Sequence, residues 1–289
     1  MKPSSFEYHA PSSIDEAVSL LAELDDAKVI AGGQSLVPMI SLRLAYFEHL
    51  VDVGRIGELG GITHEPDAVI IGASTVDAAV ERDADLATTV PLLNRATPFI
   101  GHFQIRNRGT VGGSIAHADP AAEYPAVALA LDAEIEAASP RGRRCIAAEE
   151  FFRGFWTTVL EPDELLVSVR FPVWRGRCGF AVREFARRHG DFAIAGAAIA
   201  VQLDDQDAVA RCAIGLFGLG STPLRATEAE RAALGQKGPE IAEELSRLAT
   251  ADLTDVPSDI HGPAKYRRRV GAAMVRRAWH DAMEEATRG

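Results

Sequence analysis

The 289-residue chain has little of what metal clusters, membranes or polyanions require. It has three cysteines, Cys145, Cys178 and Cys212, far apart and in no Cys-x-x-Cys spacing. They cannot supply the four thiolates of an ordinary iron–sulfur cluster, so a cluster serving this protein belongs to another chain. The three are expected to be reduced and mostly buried. Basic side chains are outnumbered by acidic ones, 30 to 41, for a net charge of −11. A field of that sign repels nucleic-acid backbones and anionic lipid headgroups. Uncharged stretches such as Val29 to Leu42 fall short of the ~20 apolar residues of a membrane-spanning helix, so no membrane span is expected. Met1 to Glu7 lacks the apolar core of a secretory signal, and the chain is expected in the cytoplasm. The Gly-x-Gly-x-x-Gly fingerprint is missing, since Gly215-Leu216-Phe217-Gly218-Leu219-Gly220 has the wrong order, and so is Gly-x-x-x-x-Gly-Lys-Ser/Thr. A Rossmann dehydrogenase and a P-loop enzyme are set aside. Neither a nucleophilic triad nor a metal-ligand cluster is apparent.

What is present describes a globular chain: 47% hydrophobic and 25% charged residues. At roughly 100–200 residues per domain, two domains are expected. Ser13-Ile14-Asp15-Glu16 looks like a capping box, and Ile14, Ala17, Val18, Leu21 and Leu24 continue at helical spacing, predicting a helix over 14–24. Lys28-Val29-Ile30 predicts a strand that runs into Ala31-Gly32-Gly33-Gln34-Ser35, and a second strand is expected near Leu50 to Val53. Ile62-Thr63-His64 and Val69-Ile70-Ile71 flank a proline turn as a hairpin, after which Thr75 is expected to cap a short helix. Pro91 and Pro98 break the 86–100 region into short helices. Residues 121–131 read as helix. Beyond Pro172, Phe180 to Ala186, Ile194 to Leu203 and Val209 to Phe217 predict an antiparallel meander. Helices are expected over 224–234, 239–249 and 263–286, the last bearing Arg267, Arg268, Arg269, Arg276 and Arg277 on a solvated face, with a docking surface for an acidic partner as the alternative. His117 and Asp119 suit routine turn chemistry, and Tyr124, Trp156 and Trp174 read as core or interface aromatics.

Two of the three Gly-Gly pairs are bracketed by small or hydroxylated residues: Ala31 to Ser35, and Thr110-Val111-Gly112-Gly113-Ser114. Where side chains are absent, backbone amides can approach a phosphate, and hydroxyls add donors without full charge. A charge-assisted hydrogen bond contributes about 1.5–3 kcal/mol. Micromolar binding needs about 8 kcal/mol net, which two segments converging on one diphosphate can reach and one alone barely can. Spacing alone leaves the pairs suggestive of a nucleotide site, with plain turns as the alternative.

The longer strings are more specific. Ala31 through Pro38, and Thr110 through the run Ile115-Ala116-His117-Ala118-Asp119-Pro120, resemble the two flavin-diphosphate loops of the FAD-binding medium subunit of molybdenum hydroxylases. That group includes carbon monoxide dehydrogenase and xanthine dehydrogenase. Further matches are Glu164-Leu165-Leu166 running to Phe171-Pro172, Phe185 to Ala193, Thr222-Pro223-Leu224 and His261 to Arg267. They occur in the family's order and cover nearly the whole chain. The resemblance implies an α+β fold: a two-lobed FAD-binding domain of the vanillyl-alcohol-oxidase type at 1–175, with lobes near 1–57 and 58–175. A small C-terminal domain, 176–289, would follow with a three-stranded antiparallel sheet packed on helices. It also implies that Ala31, Gly32, Gly33, Gln34 and Ser35, with Thr110, Val111, Gly112, Gly113 and Ser114, cradle the FAD diphosphate. Glu123 would hydrogen-bond the cofactor, Leu166 would offer backbone contact to the flavin ring, and Phe192 would lie near the isoalloxazine. No catalytic side chain and no metal is implied on this chain. The implied partners are a large molybdopterin subunit and a small [2Fe–2S] subunit, with the flavin passing electrons to an acceptor the sequence does not name. Ser114 departs from the Asn of several relatives, and Glu184 stands where relatives place a lysine. Two other readings stay open: a self-contained flavin oxidase or dehydrogenase, and a flavin-free assembly subunit.

Overall fold

The computed structural model describes residues 2–289. The first lobe comprises β1 (Glu7–His9), α1 (Ile14–Glu23), β2 (Ala27–Ile30), α2 (Leu36–Ser41) and β3 (His49–Asp52). Ser13 caps α1 by accepting from the Glu16 amide, and Ile14, Ala17, Val18 and Leu21 form its buried stripe. The strands are parallel in the order β1-β3-β2, as expected of strands joined by helical crossovers. Val51, at 0% exposure, meets α1 in a core shared with Leu165 and Val167 of the next lobe.

The second lobe contains β4 (Ile62–His64), β5 (Ala68–Gly72), α3 (Asp77–Arg82), α4 (Leu86–Thr89), α5 (Pro91–Ala96) and α6 (Phe103–Arg106). It continues with α7 (Val111–His117), α8 (Glu123–Ala130), β6 (Glu134–Ser139), β7 (Gly142–Ala147), α9 (Ala148–Phe151), β8 (Phe152–Gly154), β9 (Thr157–Thr158) and β10 (Leu165–Pro172). Its sheet runs β4-β5-β10-β6-β7, with β10 at the centre and a register shift between Leu166 and Ser168. The predicted proline hairpin is β4–β5. Thr75 does not cap α3: its hydroxyl donates to the Gly61 carbonyl and accepts the Gly61 amide, and Val76 is the N-cap without a side-chain bond.

The C-terminal part has β11 (Arg177–Phe185), β12 (Ala195–Leu203), β13 (Val209–Phe217), β14 (Leu224–Arg225), α10 (Thr227–Ala233), α11 (Ala242–Ala251) and α12 (Ala264–Arg288). The three long strands form the expected antiparallel meander, and the two-residue β14 adds a fourth to its β13 edge. That pairing corrects the helix expected from Leu224, which begins only at Thr227. One sheet face packs on α12, where Gly179 lies so close that a Cβ there would sit 1.8 Å from the Ala282 carbonyl oxygen. The other face joins the second lobe: Phe180, Ala198, Ala213 and Phe217 share one core with Leu92, Tyr124 and Val169. Arg95 of α5 ties the two parts together through a bidentate pair with Glu285 of α12 at 2.5 and 2.6 Å.

The basic run on α12 is not simply a solvated face. Arg267 is buried, donating to the carbonyls of Ile194 (2.7 Å) and Gly218 (3.3 Å) and to Asp259 (2.6 Å). Arg268 reaches the Leu253 carbonyl, and Arg276 pairs with Glu243. Among the cysteines, all free, Cys212 is buried and Cys178 half-buried, but Cys145 lies exposed on edge strand β7, where its side chain faces solvent.

Candidate functional site

The segment Ala31–Ser35 follows the carboxyl end of β2. Gly33, at φ +70°, takes the left-handed conformation that turns the chain into α2, where an L side chain is strained. Gln34 Nε2 braces the turn on the Gly32 carbonyl at 3.0 Å. The amides of Gly32, Gly33, Gln34 and Ser35 find no protein acceptor among the described residues. The Ser35 hydroxyl makes no capping bond to α2.

The segment 110–114 is built differently from the loop its glycines suggest. It is the first turn of α7, with Thr110 as N-cap accepting the Gly113 amide at 3.1 Å. The amides of Val111, Gly112 and Ser114 go to the carbonyls of Thr75, Ala73 and Thr110. Val111 is wholly buried, and a Cβ on Gly112 would strike Ala73 at 2.5 Å. Val111 and Gly112 therefore hold the turn against the second-lobe sheet. The donors this segment leaves available are hydroxyls, those of Thr110 and Ser114.

The first segment meets the backbone that leads into the second. A Cβ placed on Gly32 would lie 2.0 Å from the Arg108 carbonyl oxygen and 2.9 Å from the Gly109 Cα. Only a residue without a side chain lets the first-lobe turn approach the second lobe this closely. The backbone entering α7 is fixed in turn by the Asp77 amide donating to the Gly109 carbonyl at 2.9 Å and by a bridge between Val76 and Thr110. The junction thus concentrates free amides, hydroxyls and an open left-handed turn, a donor set suited to an anionic oxygen cluster such as a diphosphate. No lysine or arginine neutralisation is required for such a donor set.

Composition did not reveal a set of acids withdrawn from solvent, of which Asp77 lies against Gly109 at the junction. Glu123, the first residue of α8, is 7% exposed and neighbours the half-buried Glu184 of β11. Burial pushes both carboxyls up, and the neighbouring Glu123 raises Glu184 further. Glu184 Oε2 has no partner among the described residues. Asp77 is 2% exposed with Oδ1 unpartnered, and burial, then the charge of Glu123, push it up to about 8. With their carboxyls shifted upward, these acids carry less negative charge near neutral pH than ordinary carboxylates and repel an anion less.

Leu166 lies in the core on β10, beside the strand irregularity, while Phe192 stands 66% exposed in the loop between β11 and β12. His117 and Asp119 are engaged in packing: the His117 ring stacks on Trp156 at 6.1 Å, and Asp119 accepts from Trp156 Nε1 and the Ala121 amide. Tyr124 and Trp174 are buried, whereas Trp156 is exposed on the β8–β9 turn.

Residues 4–174 match the family described as the FAD binding domain in molybdopterin dehydrogenase, and residues 180–282 match the CO dehydrogenase flavoprotein C-terminal domain. The 6-hydroxypseudooxynicotine dehydrogenase complex subunit alpha of Paenarthrobacter nicotinovorans is 42% identical over 289 residues, covering 99% of this chain and 97% of its own. The carbon monoxide dehydrogenase medium chain of Hydrogenophaga pseudoflava is 39% identical over 283 residues, with 98% of each chain covered. In the solved carbon monoxide dehydrogenase of that organism, one chain superposes with a TM-score of 0.95 at 40% identity, covering 99% of both chains.

Proposed function

The chain belongs to the family of FAD-binding medium subunits of molybdenum hydroxylases, and from that premise we propose that it holds FAD across Ala31–Ser35 and Thr110–Ser114 as the electron-transfer subunit of a heteromeric complex. The observation that carries this reading is the approach of Gly32 to Arg108 and Gly109, which joins the two segments into one cradle. When bound, FAD supplies redox chemistry that accepts electrons singly or in pairs. This chain's residues bind and orient it. The four free amides at Gly32 to Ser35 and the hydroxyls of Ser35, Thr110 and Ser114 face the diphosphate. Gly33 shapes the cradle by its left-handed turn, and Gly113, where a Cβ would lie 2.6 Å from Thr110 Oγ1, leaves room for the Thr110 cap. Glu123, whose carboxyl is pushed up by burial, hydrogen-bonds the cofactor. Backbone at Leu166 and the ring of Phe192 border the flavin, the exposure of Phe192 leaving one face accessible.

In this reading a large partner oxidises substrate at molybdopterin, a small partner relays electrons through [2Fe–2S] clusters, and an external acceptor takes them from the flavin. The low cysteine count agrees with clusters carried elsewhere. No helix among the described residues is long and apolar enough to cross a membrane.

Co-expression with the molybdopterin and [2Fe–2S] subunits tests the assignment. A heteromer with one FAD per medium chain, whose flavin absorbance bleaches when substrate is added anaerobically, is the expected result. A flavin-loaded single chain that oxidises an organic substrate alone would make it a self-contained oxidase. A colourless chain inside the complex would make it an assembly subunit.

A further inference from the structure

Glu7, His9 and His49 are 40 or so residues apart in part and belong to no sequence motif, yet the parallel pairing of β1 and β3 brings them together. Glu7 lies opposite His49 in the register, and His9 lies two residues further along β1 on the same side of the strand. His9 Nε2 and His49 Nδ1 are 3.1 Å apart, and Glu7 Oε2 is 3.6 Å from the same His49 nitrogen. One ligand atom from each residue lies within 4.8 Å of the others. His49 and His9 are half-buried, and Glu7 projects into solvent as the side chain free to adjust.

These separations are those of a coordination edge. With Zn–N and Zn–O bonds of about 2.0–2.1 Å in tetrahedral geometry, neighbouring ligand atoms stand about 3.3 Å apart. The imidazole pair already has that spacing, and the Glu7 carboxylate, 3.6 Å from His49 and within 4.8 Å of His9, closes by up to about 1.5 Å through rotation of its exposed side chain. Two imidazoles and one carboxylate suit zinc-type transition cations, whereas Mg²⁺ and Ca²⁺ favour all-oxygen shells. We infer that Glu7, His9 and His49 form a surface site for one Zn²⁺-type divalent cation, with water completing the coordination. His9 ligates through Nε2 and keeps its proton on Nδ1, and His49 ligates through Nδ1 and keeps its proton on Nε2. The cation pins the amino-terminal strand β1 to β3.

The site is separate from the flavin cradle. His49 opens β3, while the cradle follows the opposite, carboxyl end of β2 in the same parallel sheet. A second trio, His64, Asp83 and Asp85, carries one imidazole only, and Asp83 Oδ1 already accepts the Leu86 amide at 2.8 Å. It serves as the comparison.

The test is calorimetric titration of the full chain with ZnCl₂, followed by zinc-edge X-ray absorption. One equivalent of zinc with two imidazoles in its shell is expected, with no heat from MgCl₂ or CaCl₂. His9→Asn and His49→Gln should each weaken binding at least about tenfold, and zinc should raise the thermal midpoint of the parent but not of these variants. Asp85→Asn should change nothing. If a variant misfolds by far-UV circular dichroism, Glu7→Gln, altered at an exposed side chain, supplies the comparison and should also weaken binding. Absence of zinc binding overturns the site, as does binding that survives all three substitutions, which would mean an adventitious ion only.

Discussion

Gly32→Ala is the sharpest perturbation of the cradle. The added Cβ would sit 2.0 Å from the Arg108 carbonyl oxygen, 2.7 Å from its carbon and 2.9 Å from the Gly109 Cα. All three obstacles are backbone atoms, so no side-chain rotation relieves the clash. An ordinary carbon–oxygen contact lies about 3.4 Å away, so the segments must part by over an ångström. A hydrogen bond stretched that far is lost. If two of the amides at Gly32 to Ser35 lose the diphosphate, at about 1.5–3 kcal/mol each, FAD affinity falls by roughly 10²–10⁴-fold. Gly57→Ala is the matched comparison, since a Cβ there meets nothing within 4 Å. The assay is FAD binding by flavin fluorescence, with thermal melting of the flavin-free proteins to register any folding defect. Full affinity in Gly32→Ala, with apo stability equal to that of the parent, would refute the reasoning.

Thr110→Ala removes the cap on α7, which should lower apo stability by about 1 kcal/mol and weaken FAD as well, whereas Thr110→Ser should restore both. Arg95→Ala deletes the bidentate tie to Glu285, partly solvated at 40% and 37% side-chain exposure; chemical denaturation should show a loss of about 1–2 kcal/mol, reduced by salt. Arg267→Met strips two buried carbonyls and Asp259 of their donor; the same measurement should show about 2–4 kcal/mol. Asp77, raised from 3.8 to about 8, binds its proton more tightly folded than unfolded. Its contribution is therefore complete at acid pH and declines as pH rises from about 4 through 8. Between pH 6 and 9 the parent should lose about 2–3 kcal/mol that Asp77→Asn does not lose; identical pH profiles would sink this assignment.

Much of the fold was legible where one chemical signal dominated. Ser13 and the following apolar stripe marked α1, the proline turn marked β4–β5, and three apolar runs marked the C-terminal meander. The central strand β10 was not read as a strand, although Val167-Ser168-Val169-Arg170-Phe171-Pro172 alternates buried and half-buried residues with a strand's period. β1 is three residues long and polar, and only its pairing with β3 reveals it. Gly112 and Gly113 looked like a loop, since glycine disfavours helix. The Thr110 cap and the close seat on Ala73 override that preference. The buried acids Asp77 and Glu123 and the half-buried Glu184 come from three separate elements, and the trio Glu7, His9 and His49 depends on strand register. Neither grouping exists until the chain has folded.

The central claim, that both glycine segments close on one cofactor, is tested most directly by backbone amide resonances of the isotope-labelled, flavin-free chain during titration with FAD. The resonances of Gly32, Gly33, Gly113 and Ser114 should shift together and saturate at one equivalent. Shifts confined to one segment, or mapping elsewhere in the chain, would contradict the account.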